Sequence, residues 1–376
     1  MLRVVKVRLY PTLEQQTLLS KIFGSVRFVY NTMLDKKIKA YQLDKTSISA
    51  FSLIKELPIM KNSDFDWLKE VDSTALQQSI KNMDSAYKSF FKGGGFPKFK
   101  SKHQLRQSYQ TTTAKILNNT IIKLPKLGNV EIRGWREFEG KLKTVTVSFY
   151  AGQYHASLIF DDGKDFIAPK HNGKEIGLDI GVKVLATLSD GTKYKPLELT
   201  KEIENMIKAQ KSLSRKRKGS KNRAKAKKRL SKKHLKISNK RKDYLHKISK
   251  KITDENQVIV VEDLKIKNMT KNARGTVEEA KKSSGKRGLN RVIIQQGWGI
   301  FFQMLEYKAL LKGGEVKKVN PQYTSQKCSC CGHISKENRK TQSRFKCINC
   351  NFTMNADLNA SINILNNSVG HTQKAS

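Results

Sequence analysis

Apolar and polar positions alternate with period two over Leu2–Tyr10, the pattern of a half-buried strand, and Pro11 closes it. The period then lengthens: Leu18, Ile22, Val26, Val29 and Met33 recur at helical spacing across Leu13–Asp35, and helical patterning continues to about Phe91. In Thr74–Phe91 one face carries Leu76, Ile80, Met83 and Tyr87. Gln77, Gln78 and Lys81 point elsewhere, either as donors to a nucleic-acid groove or as an ordinary solvated face. Gly93-Gly94-Gly95 ends this block. Short runs at Ile121–Leu124, Val130–Arg133, Thr144–Tyr150 and Tyr154–Phe160, separated by turns containing Gly, then predict a small β-barrel or sandwich to which the first strand belongs.

After Pro169 the pattern is that of buried strands. Glu175–Val182 (EIGLDIGV) places Asp179 inside an apolar run, Lys183–Leu188 follows, and the turn Ser189-Asp190-Gly191 returns as Thr192–Tyr194. Gln257–Leu264 (QVIVVEDL) runs through four β-branched residues into Glu262 and Asp263. Asn268–Asn290 is polar and rich in Gly, which predicts a mobile loop near the site, whereas Gln295–Lys312 predicts an amphipathic core helix followed by a strand at Glu315–Val319. A last helix opens at Asp357, with Leu358, Ile362 and Leu365 as its expected buried face.

Charge narrows the function. Across 376 residues, 74 Lys and Arg face 32 Asp and Glu, a net charge of +42, so a compact fold would repel itself unless a polyanion neutralised it, and nucleic acid is the default partner. No apolar run approaches the roughly 18 residues of a membrane span, and the basic start MLRVVKVRLY is no signal peptide, which predicts a cytoplasmic, nucleoid-associated protein of a bacterium or archaeon. Between Lys208 and Lys251, 21 Lys or Arg accompany one acid, Asp243. Such a run is either a solvated face or, given its spaced leucines, a pair of basic helices hinged at Gly219-Ser220; Arg215, Lys216, Arg217, Arg223 and Lys227 are its candidate phosphate contacts. In Phe96–Tyr109 aromatics alternate with Lys98, Lys100 and Lys102, a composition suited to bases and phosphates together.

Two constellations carry chemistry. Cys328-x2-Cys331 and Cys347-x2-Cys350, with fifteen residues between the knuckles, have the spacing of a zinc ribbon; four thiolates make a closed, structural Zn²⁺ site. Disulfides or free core thiols are the alternatives, and the fifth cysteine, Cys330, is left over. Asp179, Glu262 and Asp357 are acids at strand or helix ends. Any one is explained by a local role, Asp357 as a first-turn acid for instance, but three together look like a site for two Mg²⁺ ions, in the order of the RNase H-like plan of first strand, fourth strand and last helix.

The segments RLYPT, RFVYN (Arg27–Asn31), GFPKFKSK (Gly95–Lys102), GLDIGVK, VVEDL, GWGIFFQMLEYKA, TSQKCSCCG and DLNASINI span nearly the whole chain, which resembles TnpB (OrfB) of bacterial insertion sequences. The resemblance implies a multidomain α+β protein. Its parts would be a wedge β-barrel at 1–10 and 104–168, a helical recognition lobe at 11–103, a RuvC nuclease at 172–323 and 352–367, a zinc ribbon at 324–351 and a tail at 368–376. It implies an RNA-guided DNA endonuclease, an ancestor-like relative of type V CRISPR effectors, with Asp179, Glu262 and Asp357 as catalytic acids. Its partners would be a guide RNA from the transposon end, with one or two protein copies per RNA, and duplex DNA carrying a short motif read by Ser73, Thr74, Gln77 and Thr113. A guide-RNA-dependent DNA-binding regulator without cleavage is the alternative. The chain departs from the family pattern at Asn351, in place of a glycine common after the last knuckle, and at Ala356, where relatives often carry Arg.

Overall fold

The expected first strand, β1 (Leu2–Tyr10), is the central member of a seven-stranded antiparallel sheet in the computed structural model, which describes residues 1–104, 106–165, 173–271 and 280–368, the side chains of 280–284 excepted. The chain divides into two units, Met1–Phe166 and Ile167–Ser376. In the first, the strands β2 (Arg106–Thr111), β3 (Lys115–Asn118), β4 (Ile121–Leu124), β5 (Gly128–Arg133), β6 (Lys141–Tyr150) and β7 (Gln153–Asp161) lie in the order β2-β6-β7-β1-β5-β4-β3. Among the described residues this row is open, with β2 and β3 as its edges, so backbone pairing does not close the expected barrel. Strand β2 has no counterpart in the sequence reading because only Tyr109 and Thr111 of its six residues are buried.

Helix α1 (Leu13–Asp44) starts at a capping box, in which the Gln15 amide donates to Thr12 Oγ1 at 3.3 Å and the Thr12 amide to Gln15 Oε1 at 3.1 Å. It runs nine residues past the expected end. Helices α2 (Ala50–Lys55) and α3 (Leu57–Asn62) and a 3₁₀ turn (Asp66–Glu70) lead to α4 (Ser73–Phe91), whose buried face is the expected one. The helices and the sheet share one continuous core that joins Val7, Leu9, Ile132 and Val147 to Val26, Val29, Leu76 and Ile80. These helices and the sheet therefore form one packed body, because the apolar stripes of α1 and α4 find their cover on the sheet.

The second unit holds β8 (Glu175–Ile180), β9 (Ala186–Leu188), β10 (Lys193–Tyr194), β11 (Val258–Glu262) and β12 (Glu315–Val319) in the order β10-β9-β8-β11-β12, with β8, β11 and β12 parallel. Helices α5 (Thr200–Ser214) and α6 (Lys221–Glu255) are the two basic helices, broken at Gly219 (φ +84°) and recapped by Ser220, whose hydroxyl accepts from the Arg223 amide at 3.1 Å. After α7 (Ile266–Met269), residues 272–279 lie outside the described set, and the rest of the expected loop is instead helix α8 (Ala280–Gln296). Tertiary anchoring overrides its polar composition: Ile293 is buried, and Asn290 donates to the carbonyls of Thr270 and Lys271, each at 3.2 Å. Gly297 (φ +74°) then breaks the chain, so the core helix α9 (Trp298–Leu311) starts later than expected.

The sheet is covered on both faces. Ile176 and Leu178 of β8 and Ile259 and Val261 of β11 pack with Leu245 and Ile252 of α6 and Phe301 and Leu305 of α9. The alternate residues, Val258 and Val260, meet Ile364 of the last helix, α10 (Ala356–Asn366). The buried face of α10 is Ala356, Ala360 and Ile364 with Asn359, Ser361 and Asn363; of the expected Leu358, Ile362 and Leu365, all only partly buried, Leu365 packs against the sheet core. Small residues are required because α10 lies directly on β8: a Cβ at Gly177 would run into the Ser361 carbonyl oxygen.

Candidate active site and metal centre

In the parallel pair of β8 and β11, Val258 faces Glu175 and Val261 faces Leu178, so the next step of the same register sets Glu262 beside Asp179 at the carboxyl ends of two adjacent strands. Strand alternation puts Asp179 on the face of Gly177, and Glu262 on the face of Val258 and Val260. That is the face on which α10 lies. From Gly177 to Asp179 the strand rises about 6.6 Å, and from Ser361 back to Asp357 the helix covers about 6 Å, so α10 brings Asp357 to the same end. Asn355 caps α10, accepting from the Leu358 amide at 3.2 Å, and leaves Asp357 in the first turn. Three acids spread over some 180 residues of the chain are thus brought to one end of the sheet.

Their electrostatics agree with the geometry. Asp179 keeps some exposure at the open strand end, yet burial, followed by the like charges of Glu262 and Asp357, pushes its carboxyl from 3.8 up to about 8, against an opposing pull from Arg339. Burial also raises Glu262, while the Thr324 hydroxyl, donating to its Oε1 at 2.6 Å, favours the charged form. Such crowding of acids is relieved by cations, and hard carboxylate oxygens suit Mg²⁺. Asp263, the other acid of VVEDL, turns away: its amide donates to the Val319 carbonyl at 2.9 Å and its carboxylate pairs with Lys265 at 2.5 Å.

Arg339 and Thr324 are the residues that sequence reading missed. Arg339 Nη2 reaches Asp357 Oδ1 at 3.3 Å from a 3₁₀ turn (Lys336–Arg339) between the two cysteine knuckles. Its neighbours there include Lys336, Lys340 and Arg344, and no spacing rule separates it from them. Ala356 is fully buried with Phe345, a position with no room for a long side chain, and Arg339 places a guanidinium beside Asp357.

The four expected cysteines form the tight cluster. Their sulfurs all lie within 4.8 Å of one another, with Cys328 to Cys350 at 3.8 Å and Cys331 to Cys347 at 3.6 Å. A tetrahedron with Zn–S bonds of about 2.3 Å has sulfur edges of about 3.8 Å, so the quartet fits a zinc ion. Cys330 is exposed and outside it. Each knuckle closes with an amide-to-carbonyl bond, Gly332 to Cys328 at 3.0 Å and Asn351 to Cys347 at 3.1 Å, and both closing residues have positive φ, +77° and +59°. Asn351 therefore does occupy a glycine-type conformation, which asparagine tolerates better than most residues. The hairpin β13 (Arg344–Lys346) and β14 (Thr353–Asn355) extends the ribbon past its expected end at 351. Two buried asparagines of α10 fasten it: Asn359 Nδ2 donates to the Lys327 carbonyl at 2.8 Å, and Asn363 Nδ2 to the carbonyls of Thr324 at 2.9 Å and Lys327 at 2.7 Å. The cysteine cluster and the helix that carries Asp357 are thus one mechanical unit.

Candidate nucleic-acid contacts fall into three groups. At the start of α4, Ser73, Thr74 and Thr113 gather around Asp72 and Thr111, with Gln77 one turn further along. Thr74 Oγ1 donates to Asp72 at 2.5 Å and Lys61 Nζ donates to Ser73 at 2.7 Å, while Thr111 and Thr113 hydroxyls are 3.2 Å apart. Lys98 and Lys102 are exposed, but Lys100 is half-buried with its ammonium 3.8 Å from the centre of the Tyr30 ring, and Asn31 grips its backbone. Arg215, Lys216, Arg217 and Lys227 are exposed. Arg223 is part-buried and already engaged, its Nη1 donating to the carbonyls of Leu213 at 3.0 Å and Lys216 at 2.8 Å and so capping α5.

Family models match residues 160–273 ("Probable transposase", OrfB_IS605), 1–46 ("Helix-turn-helix domain") and 298–364 ("Cas12f1-like, TNB domain"). "Putative RNA-guided DNA endonuclease InsQ" of Escherichia coli is 39% identical over 98% of this chain and 92% of its own. The chain belongs to the TnpB (OrfB) family. Another TnpB relative, "Putative RNA-guided DNA endonuclease" of Streptomyces pristinaespiralis, is 34% identical over 96% of this chain and 88% of its own. The fold is that of Cas12f1 in a complex with guide RNA and target DNA, with a TM-score of 0.56 at 14% identity, covering 98% of this chain and 99% of that one. In this TnpB the region matched as helix-turn-helix holds β1 and a single uninterrupted helix, α1.

Proposed function

We propose that this TnpB is an RNA-guided DNA endonuclease of an insertion sequence, with a RuvC-type, RNase H-like active site that cuts target DNA beside a short recognition motif. The carrying observation is the convergence of Asp179, Glu262 and Asp357 on one sheet face, with the charge crowding that raises Asp179. The curated relatives named as RNA-guided DNA endonucleases support the same reading.

In this mechanism Asp179, Glu262 and Asp357 would hold two Mg²⁺ ions, which would supply activation of the attacking water and stabilisation of the leaving oxygen of a phosphodiester. Thr324 fixes the Glu262 carboxylate through its 2.6 Å hydrogen bond. Arg339 holds Asp357 in place and can turn its remaining donors to a phosphate oxygen. A guide RNA from the transposon end lies on exposed basic residues such as Arg215, Lys216, Arg217 and Lys227, and the cluster of Ser73, Thr74, Gln77 and Thr113 reads the adjacent motif. Pairing of RNA with DNA supplies the remaining specificity. A structural Zn²⁺ held by Cys328, Cys331, Cys347 and Cys350 would keep Arg339 and Thr324 in place.

The test is to purify the protein with and without the transposon-end RNA and assay cleavage of matched duplex with and without Mg²⁺. Cutting that needs RNA and Mg²⁺ and vanishes in Asp179→Ala is expected. Equal cutting without RNA would defeat guidance, and unchanged cutting by Asp179→Ala would defeat the site.

A further inference from the structure

A second feature of the nuclease unit lies outside the acid cluster. A cavity of about 260 Å³ opens where the loop after β10, the first turn of α5, the middle of α6 and the end of α8 meet. Its walls include the apolar Leu185, Leu199 and Ile203, and its polar groups include Arg241, Gln295 and, at the rim, the exposed Glu198.

Arg241 is the unusual member. It is half-buried, its Nε is shielded from water with no hydrogen-bond partner, and no carboxylate pairs with it among the described residues. Withdrawing the Nε–H from water without a partner is unfavourable, so its position needs a cause. Gly297 supplies part of the scaffolding: a Cβ at this left-handed position would stand 3.0 Å from Arg241 Cδ, so the break between α8 and α9 makes room for the arginine stem. Gln295, just before that break, also has no hydrogen bond for its carboxamide among the described residues, whereas its neighbour Gln296 is fixed to the Val182 carbonyl at 3.3 Å. Tyr244 is held in the wall by donating to the Lys195 carbonyl at 2.5 Å.

An idle carboxamide, which offers a donor and an acceptor side by side, stands with the guanidinium of Arg241 in a slot of mixed polar and apolar lining, too small for a duplex. That is the chemistry that receives one unstacked base and reads its edge. Exposed Lys195 and Lys201 flank the lining segment in the chain, where a sugar-phosphate backbone would pass. We propose that this cavity takes a single unpaired nucleobase of the bound RNA, with Arg241 and Gln295 on its edge and Leu185, Leu199 and Ile203 against its faces. The proposal rests on the reading that the chain carries an RNA.

The experiment uses the full chain copurified with RNA transcribed from the transposon end, with thionucleotide crosslinking and nucleotide-resolved chemical probing of that RNA. The wild type is expected to protect one unpaired nucleotide and crosslink it to the segment around Leu199 or Gln295. Arg241→Gln and the surface-tolerant Gln295→Ala should each expose that nucleotide and weaken RNA binding roughly tenfold, and Leu199→Trp, which fills the slot, should do the same. An unchanged reactivity pattern in Gln295→Ala and Leu199→Trp would overturn the proposal. So would a loss in Arg241→Gln that is uniform along the RNA and lowers the salt dependence, which would mark a phosphate contact. A chain that retains no RNA in any form would instead defeat the guided-nuclease reading, so the two failures are separable.

Discussion

Asp179 is the residue on which chemistry and stability meet. Its carboxyl is raised from 3.8 to about 8, first by burial and then by Glu262 and Asp357. Between those values the folded, metal-free chain binds a proton that the unfolded chain has released, so stability is present at low pH and is lost as pH rises through about 8. Asp179→Asn removes this penalty. Calorimetry without metal should find the variant melting above the wild type at pH 8.5 and level with it at pH 4, whereas an equal difference at both pH values would count against the crowding. The sequence made Asp179 conspicuous because a carboxylate in an apolar strand is rarely idle. Thr324 and Arg339 carried no such mark: a threonine before a knuckle and one cation among several acquire meaning only from what they touch.

At the scale of elements, the two basic helices show how one residue type serves two ends. Arg215, Lys216 and Arg217 are exposed in the turn between α5 and α6, while Arg223, only six residues past Arg217, donates to the carbonyls of Leu213 at the end of α5 and Lys216 in the turn. Charge counting cannot separate them. Arg223→Met should cost about 1–2 kcal/mol of unfolding free energy by denaturant titration, and Arg217→Met should cost none while weakening RNA binding; equal stability of the two variants would refute the capping role. The same limit explains β2 and α8. A strand with two buried residues and a helix anchored by Asn290 have weak local patterns, and their neighbours choose their conformation. Strong periodicity had the opposite outcome: β1, β4 and β12 have the bounds read from the sequence.

At the scale of the molecule, a net charge of +42 must be neutralised by counterions or by nucleic acid. RNA binding should therefore weaken by roughly a thousandfold or more between 50 and 200 mM salt, as expected for six or more phosphate contacts; a flat salt response in filter binding would show that the exposed lysines are not the contact surface. Polyanion binding, the thiolate quartet and the three isolated acids were written in the chain, because charge, cysteine spacing and misplaced carboxylates are local facts that no fold can hide. Whether the acids meet was not. That was decided by the parallel register of β8 with β11 and by the small residues that let α10 lie on Gly177, and the same packing chose Arg339 and left Arg241 without a partner. Register and close approach depend on residues far apart in the chain, which is why only the folded molecule expresses them.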